Sequence, residues 1–225
     1  MGSCGLEVSA LGVGCWALGG PDTNLGLPMG WDPIDDTQAQ AGLERAYTLG
    51  ATLFDTADVY GHGRSERLLG QLVDQVPRAS LVLSSKVGYF RGTAPHGYHP
   101  VHLRHQLEQS LDNLRTDYLD IYFFHHSEFG ENDELLDATI ETMRTLRTEG
   151  LVRAIGMRGP HRFALERLDN TRRRPLQSSP TGWTNCVDCS AGAPSIWCGS
   201  RCGPAYSATS TPPSWSASPP PNRSR

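Results

Sequence analysis

From residue 8 to about residue 168, short apolar runs alternate with stretches in which apolar residues recur every three to four positions. The runs read as strands and the stretches as amphipathic helices. Residues 8–14 predict a first strand. Over 37–49, Ala39, Leu43, Ala46, Tyr47 and Leu49 make the apolar face of a helix, with Asp35 or Asp36 to cap it and Gly50 to end it. A strand at 51–54 follows. Leu68, Leu69, Leu72 and Val73 then face inward on a helix over 65–76, which Ser65 would cap and Pro77 would stop. A strand at 80–85 leads to a helix over 101–115, with Leu103, Leu107, Leu111 and Leu114 on one side. The series continues with a strand at 118–124, a helix over 135–149 ended by Gly150, and a strand at 152–156. A helix over 160–168 opens on Pro160, a residue suited to a first turn.

Strands separated by such helices need crossover connections, which are right-handed and produce a parallel sheet. The expected fold class is therefore α/β, of the (β/α)8 TIM-barrel type. It is incomplete, because about five βα units are visible and a whole barrel takes about 250 residues. Residues 169–225 read differently: Ser, Pro, Thr, Arg and Gly dominate, and Pro212, Pro213, Pro219, Pro220 and Pro221 punctuate the end. Such a segment cannot bury enough apolar surface to overcome its ordering entropy, so disorder is expected. The domain reading is a partial barrel over 1–168 and a Ser/Pro/Arg/Cys-rich tail over 169–225. The abrupt change of composition has the look of coding sequence read in a shifted frame.

Charge and cysteine narrow the picture. A net charge of −4 over 225 residues supplies no basic footprint for nucleic acid or an anionic membrane. There is no run of about 18 apolar residues to cross a bilayer. The N-terminus has no basic start followed by an apolar run, and Leu6 breaks the myristoylation pattern that Gly2 would begin. A cytoplasmic address is the expectation. Cys4 and Cys15 are isolated, and the other four of the six cysteines lie in the tail, so the barrel portion reads as reduced protein without a disulfide framework.

The candidate chemistry sits at strand ends. Asp55, Lys86 and His125 each close a predicted strand, and Tyr60 follows Asp55 by five residues. In a parallel barrel the C-terminal strand ends open onto one face, where side chains from distant parts of the chain meet. Reduction of a carbonyl needs a hydride at carbon and a proton at oxygen. A tyrosine can deliver the proton if a neighbouring ammonium favours its phenolate, drawing its pKa toward neutrality. A carboxylate would hold that ammonium, and a histidine would orient the carbonyl oxygen. Tyr60, Lys86, Asp55 and His125 fill those roles. Trp16, Tyr89 and Phe90 would either line the mouth of the site or pack as ordinary barrel-end aromatics.

The run GATLFDTADVYGHGRSERLLG at residues 50–70 resembles the signature of the aldo-keto reductases. LGVGCW at 11–16 resembles that family's first strand, LSSKVG at 83–88 its lysine strand, and LDNLRTDYLDIYFFH at 111–125 its histidine strand. The resemblance covers roughly residues 5–168. It implies a (β/α)8 barrel that uses NADPH or NADH without a separate dinucleotide domain, and a small-molecule carbonyl substrate. It implies Tyr60 as general acid, Lys86 and Asp55 as its tuning pair, and His125 as the orienting donor. His126, on the other side of the alternation, points away. The family's Ser-Asn pair after the fifth strand, which holds the nicotinamide carboxamide, is here Arg158 and Gly159 in AIGMRG at 154–159. The strands that carry the family's phosphate-binding residues have no counterpart in the tail. Two rival readings follow: a catalytically inactive relic, or an interaction module with a zinc-binding tail.

Other motifs are weaker. Cys186, Cys189, Cys198 and Cys202 have a spacing that zinc could use, with a short middle gap and no surrounding fold pattern. His96, His99, His102 and His105 recur every third residue, but Pro95 and Pro100 interrupt a shared helix, and solvent-facing histidines are the plainer reading. Arg172, Arg173 and Arg174 read as a solvated charge cluster. Gly61 and Gly63 flank His62 in a loop without the spacing of a phosphate-binding glycine motif.

Overall fold

A computed structural model describes residues 4–24 and 26–159. In chain order the elements are β1 (Val13–Gly14), β2 (Pro21–Asn24), β3 (Leu27–Gly30), α1 (Asp36–Thr48), β4 (Leu53–Asp55), α2 (Arg64–Val73), β5 (Val82–Val87), α3 (Pro100–Leu114), β6 (Leu119–Phe124), α4 (Leu136–Thr148) and β7 (Val152–Met157). Five strands form one parallel sheet in the order β1-β4-β5-β6-β7, while β2 and β3 pair as a separate antiparallel hairpin. Each parallel neighbour is reached through a helix, which is the α/β barrel arrangement expected from the pattern. Among the described residues, β1 and β7 are the edges of the sheet. The predicted helix at 160–168, the tail with its cysteines and Arg172–174, and the 168/169 boundary lie outside the described residues.

Side-chain alternation sorts the sheet into two packing layers. Phe54, Leu83, Val87, Tyr122 and Phe124 face the helices and meet Leu68, Leu69, Leu72, Leu103, Leu107, Leu114 and Met143 in the main core. Leu53, Val82, Ile121 and Ala154 point to the inner face, where Leu6 packs on them. Asp55, Ser84 and Lys86 continue that inner face toward the C-terminal strand ends, since the register sets Asp55 against Ser84 and Lys86 against Phe123. Gly70 lets α2 and α3 touch: a Cβ there would lie 2.3 Å from the Asn113 carbonyl oxygen. Below the sheet, the fully buried Asp120 accepts from Arg78 at 2.8 Å, from Arg153 at 2.6 Å and from the Leu83 amide at 2.9 Å.

Several expectations need correction. The first strand is confined to Val13–Gly14. Upstream, Ser9 and Thr52 exchange side-chain-to-backbone bonds at 2.8 and 2.9 Å, which take the place of a backbone ladder. The hairpin was not anticipated, because neither strand alternates apolar and polar residues. Helix α2 starts one residue before Ser65, after Gly63 in the left-handed region at φ 80°. Ser65 is buried inside the helix, and its hydroxyl donates to the Cys15 carbonyl at 2.7 Å instead of capping. Elsewhere the caps are as read: Asp35 accepts from the Gln38 amide at 3.1 Å, and Gly50 and Gly150 follow α1 and α4 with φ of 94° and 84°.

Candidate active site

Strand β4 ends on Asp55, and the chain then turns back through Ala57 and Val59 before α2. Backbone bonds hold this turn: the Thr56 amide donates to the Ser84 carbonyl at 2.9 Å, and the Tyr60 amide to Ala57 at 3.1 Å. The turn also rests on the backbone after β1. A Cβ on Gly19 would sit 2.8 Å from the Gly61 nitrogen, and one on Gly61, whose φ is 60°, would sit 2.3 Å from the Gly19 oxygen. No side chain fits between them. Arg64 braces the same junction, donating to the Leu18 carbonyl, to the Ile34 carbonyl at 2.8 Å and to Asp36.

This scaffold brings Asp55, Tyr60, Lys86 and His125 together. Lys86 Nζ donates to Asp55 Oδ2 at 2.7 Å, to the Thr56 carbonyl at 2.6 Å and to the Tyr60 hydroxyl at 3.3 Å. Ser84 donates to the other Asp55 oxygen at 2.5 Å. The His125 ring meets the Tyr60 ring edge-on, with centroids 5.8 Å apart. Asp55, Lys86 and His125 are buried, and Tyr60 is partly exposed at the open side. His126 lies on the opposite side of the strand, against Tyr98 at 4.6 Å, with its Nε2 3.1 Å from the Gly88 carbonyl.

The electrostatics differ from the sequence expectation at Tyr60. Burial pushes its phenol above the usual tyrosine value, and Asp55 adds to this; Lys86 pulls it down without overcoming burial. The resting side chain is a phenol that keeps its proton. Burial, helped by the Lys86, Arg158 and His126 charges, depresses His125 to about 2, so its ring is neutral at any physiological pH. Its Nδ1 has no hydrogen-bond partner among the described residues. Cys15, beneath the site, is pushed up to about 12 by burial and then by Asp55, and remains a thiol.

Aromatic side chains wall the opening. Trp16 stacks on Tyr60 at 6.0 Å, and Tyr89 meets His125 at 4.6 Å. Phe90 is placed elsewhere, against His62 at 4.7 Å behind the loop. Trp31, which follows the hairpin, was missed by sequence reasoning; it meets Trp16 edge-on at 5.5 Å and is half exposed. Ser84, the Thr56 carbonyl and Arg64 were missed as well. Ser84 alone left a trace in the sequence, two residues before Lys86 on the same face of the strand. Arg158 is exposed just beyond β7, with its amide donating to the Phe124 carbonyl at 2.8 Å; its charge reaches both Tyr60 and His125. Gly159 lies beside the buried Ser127: a Cβ there would be 3.2 Å from the Ser127 hydroxyl.

Comparison with known proteins agrees with this architecture. The model of the Aldo/keto reductase family matches residues 10–178. L-galactose dehydrogenase of Arabidopsis thaliana is 33% identical over 161 residues, which is 71% of this chain and 47% of that protein. The NADH-specific methylglyoxal reductase of Escherichia coli is 28% identical, over 69% of this chain and 50% of that one. The crystal structure of an aldo-keto reductase from Klebsiella pneumoniae in complex with NADPH superposes with a TM-score of 0.56 at 29% identity, over 72% of this chain and 50% of that one. The chain thus spans about half the length of the curated relatives it matches. A family match over most of the sequence, joined to a parallel α/β sheet whose neighbouring strands are linked by helices, makes this chain a member of the aldo/keto reductase family.

Proposed function

We propose that the site reduces aldehydes or ketones to alcohols with NADPH or NADH. The observation that carries this reading is the Lys86 ammonium held between the Asp55 carboxylate at 2.7 Å and the Tyr60 hydroxyl at 3.3 Å. Arg158 and Gly159 stand where a nicotinamide carboxamide would be held. Arg158 offers donors only, and Gly159 offers only its peptide groups. With the neighbouring Ser127 hydroxyl, they suit a carboxamide bound through backbone and hydroxyl in place of a side-chain amide. When bound, the reduced cofactor supplies the hydride.

This chain's residues supply the rest. Neutral His125 orients the carbonyl oxygen by donating a ring N–H. Tyr60 gives that oxygen its phenolic proton as the alcohol forms. The phenolate left behind is stabilised by Lys86, and Asp55 and Ser84 keep Lys86 in place. Trp16 and Tyr89 form the walls against which a carbonyl substrate packs. The reading takes a small molecule as partner, without nucleic acid or membrane, and takes the cytoplasm as its place. Among the described residues no helix is long and apolar enough to cross a membrane.

The test is direct. Tyr60→Phe is expected to abolish carbonyl reduction while leaving the fold unchanged by circular dichroism; equal turnover in the variant removes Tyr60 from this role. Quenching of tryptophan fluorescence on adding NADPH or NADH is expected for the unmodified chain. Cooperative unfolding without any cofactor response favours a protein that keeps the donor residues but not the activity.

A further inference from the structure

At the mouth of the carbonyl site, one cation has no acid beside it among the described residues. Arg158 follows β7, and its amide donates to the Phe124 carbonyl at 2.8 Å. The β6–β7 ladder, which pairs Phe124 with Met157, thus runs on and sets Arg158 beside His125. Side-chain alternation gives the direction. Met157 packs in the main core on the helix side, so Gly156 and Arg158 face inward. Gly156 fits that face: a Cβ there would lie 2.3 Å from the Phe123 ring, and Phe123 packs against the inner layer. His125, two residues after Phe123, lies on the same side of its strand. Neighbouring strands stand about 4.8 Å apart. The Arg158 side chain therefore starts one strand away from the ring that would orient a carbonyl oxygen.

The other charges of the site are already matched. Lys86 is paired with Asp55 at 2.7 Å, and the His125 ring is neutral. Arg158 is exposed, and among the described residues its guanidinium enters no ion pair and no side-chain hydrogen bond. Its charge acts on both Tyr60 and His125, which agrees with the place the register gives it. A carboxamide bound through backbone and the Ser127 hydroxyl leaves the guanidinium without a partner. An unmatched arginine beside a reacting centre favours an anionic group on the ligand, and its planar fork fits a carboxylate through two parallel N–H···O bonds. Trp16 and Tyr89, 36% and 41% exposed, present flat apolar faces at the same opening.

We propose that Arg158 determines specificity at this site by selecting oxo acids, carbonyl compounds whose carboxylate lies next to the carbonyl carbon. The inference rests on the carbonyl-reduction reading above and narrows its substrate. The carboxylate pairs with the Arg158 guanidinium while the carbonyl oxygen faces Tyr60 and His125, and the flat remainder of the molecule packs on Trp16 and Tyr89. The charge thus fixes which end of the substrate meets the proton donor. The carboxylate takes no part in the chemistry. Carbon gains the hydride of the reduced cofactor, oxygen gains the Tyr60 proton, and the product is a hydroxy acid with its carboxylate intact.

The experiment is titration calorimetry on the full chain, without cofactor, using phenylglyoxylate and its neutral isostere phenylglyoxylamide. The carboxylate is expected to bind about tenfold tighter than the amide. That advantage should shrink as salt is raised, because Arg158 is exposed. Arg158→Gln should bring the two affinities within about twofold of each other. Arg158→Lys, which keeps the charge and loses the fork, should fall between. Absence of saturable carboxylate binding, equal affinity for the isosteres, or a preference that survives Arg158→Gln in a variant folded by circular dichroism overturns the proposal. Reduction of benzaldehyde with NADPH or NADH is followed separately. If benzaldehyde is reduced while the isosteres bind alike, this inference alone fails; if no carbonyl compound is reduced, the reduction reading fails and this one with it.

Discussion

Lys86 is ringed by oxygen: a carboxylate, a peptide carbonyl and a phenol all lie within 3.3 Å of its Nζ, and the side chain is 5% exposed. Breaking such a buried pair by removing one partner strands the other. Lys86→Met leaves Asp55 with only Ser84, and it is expected to lower stability by about 3–5 kcal/mol, read as a fall in the urea midpoint. Its catalytic effect should match that of Tyr60→Phe, because the phenolate would have no counter-charge. His125 makes a prediction of opposite character. Its folded pKa of about 2 lies below the ordinary 6.5, so below pH 6.5 the unfolded chain binds a proton that the native chain refuses. Stability therefore falls on acidification through that window, by about 1.4 kcal/mol per pH unit from this group. His125→Asn should flatten the slope between pH 6 and 4; an unchanged slope counts against a buried neutral ring. The phenol of Tyr60, raised by burial, should keep the rate of reduction level through pH 9, and a fall centred below pH 8 would exclude it as the donor.

At the scale of elements, position is governed by backbone contacts that the sequence hides. The Gly19–Gly61 junction sets the height of Tyr60 over the strand ends. Gly61→Ala adds a methyl group 2.3 Å from a carbonyl oxygen at a left-handed residue, so it should displace the loop. Activity is expected to fall at least about tenfold with the fold retained, by the rule that small misplacements at a catalytic centre are costly. Much of the frame was readable beforehand. Leu103, Leu107, Leu111 and Leu114 announce α3, Asp35 and Gly50 bracket α1, and strand alternation separates His125 from His126. What escaped was tertiary in origin. Pro21–Asn24 and Leu27–Gly30 carry no period-two pattern, since their pairing forms a separate hairpin outside the parallel sheet. Ser65 looked like a cap because its type favours caps, yet its hydroxyl is drawn to Cys15, a contact 50 residues away in sequence. The net rise of the Tyr60 pKa also depends on burial, which no local motif reports.

For the molecule as a whole, two buried charge systems act in opposite directions with pH. His125 weakens the fold in acid. Asp58 and Glu66, raised by burial, stabilise it fully only below their unfolded values, and that contribution is lost as pH rises through their folded ones. Asp58→Asn should therefore gain stability relative to the parent at pH 9 and little at pH 4, measured by urea midpoints; a loss at pH 9 contradicts the buried neutral acid. The parallel sheet has a further consequence. Its strands stand side by side in the order in which they are translated, β1-β4-β5-β6-β7. Each new strand–helix unit finds its docking edge already made. Such a sheet can be laid down strand by strand as the nascent polypeptide leaves the ribosome, and protease resistance of stalled chains should rise in steps as each unit emerges.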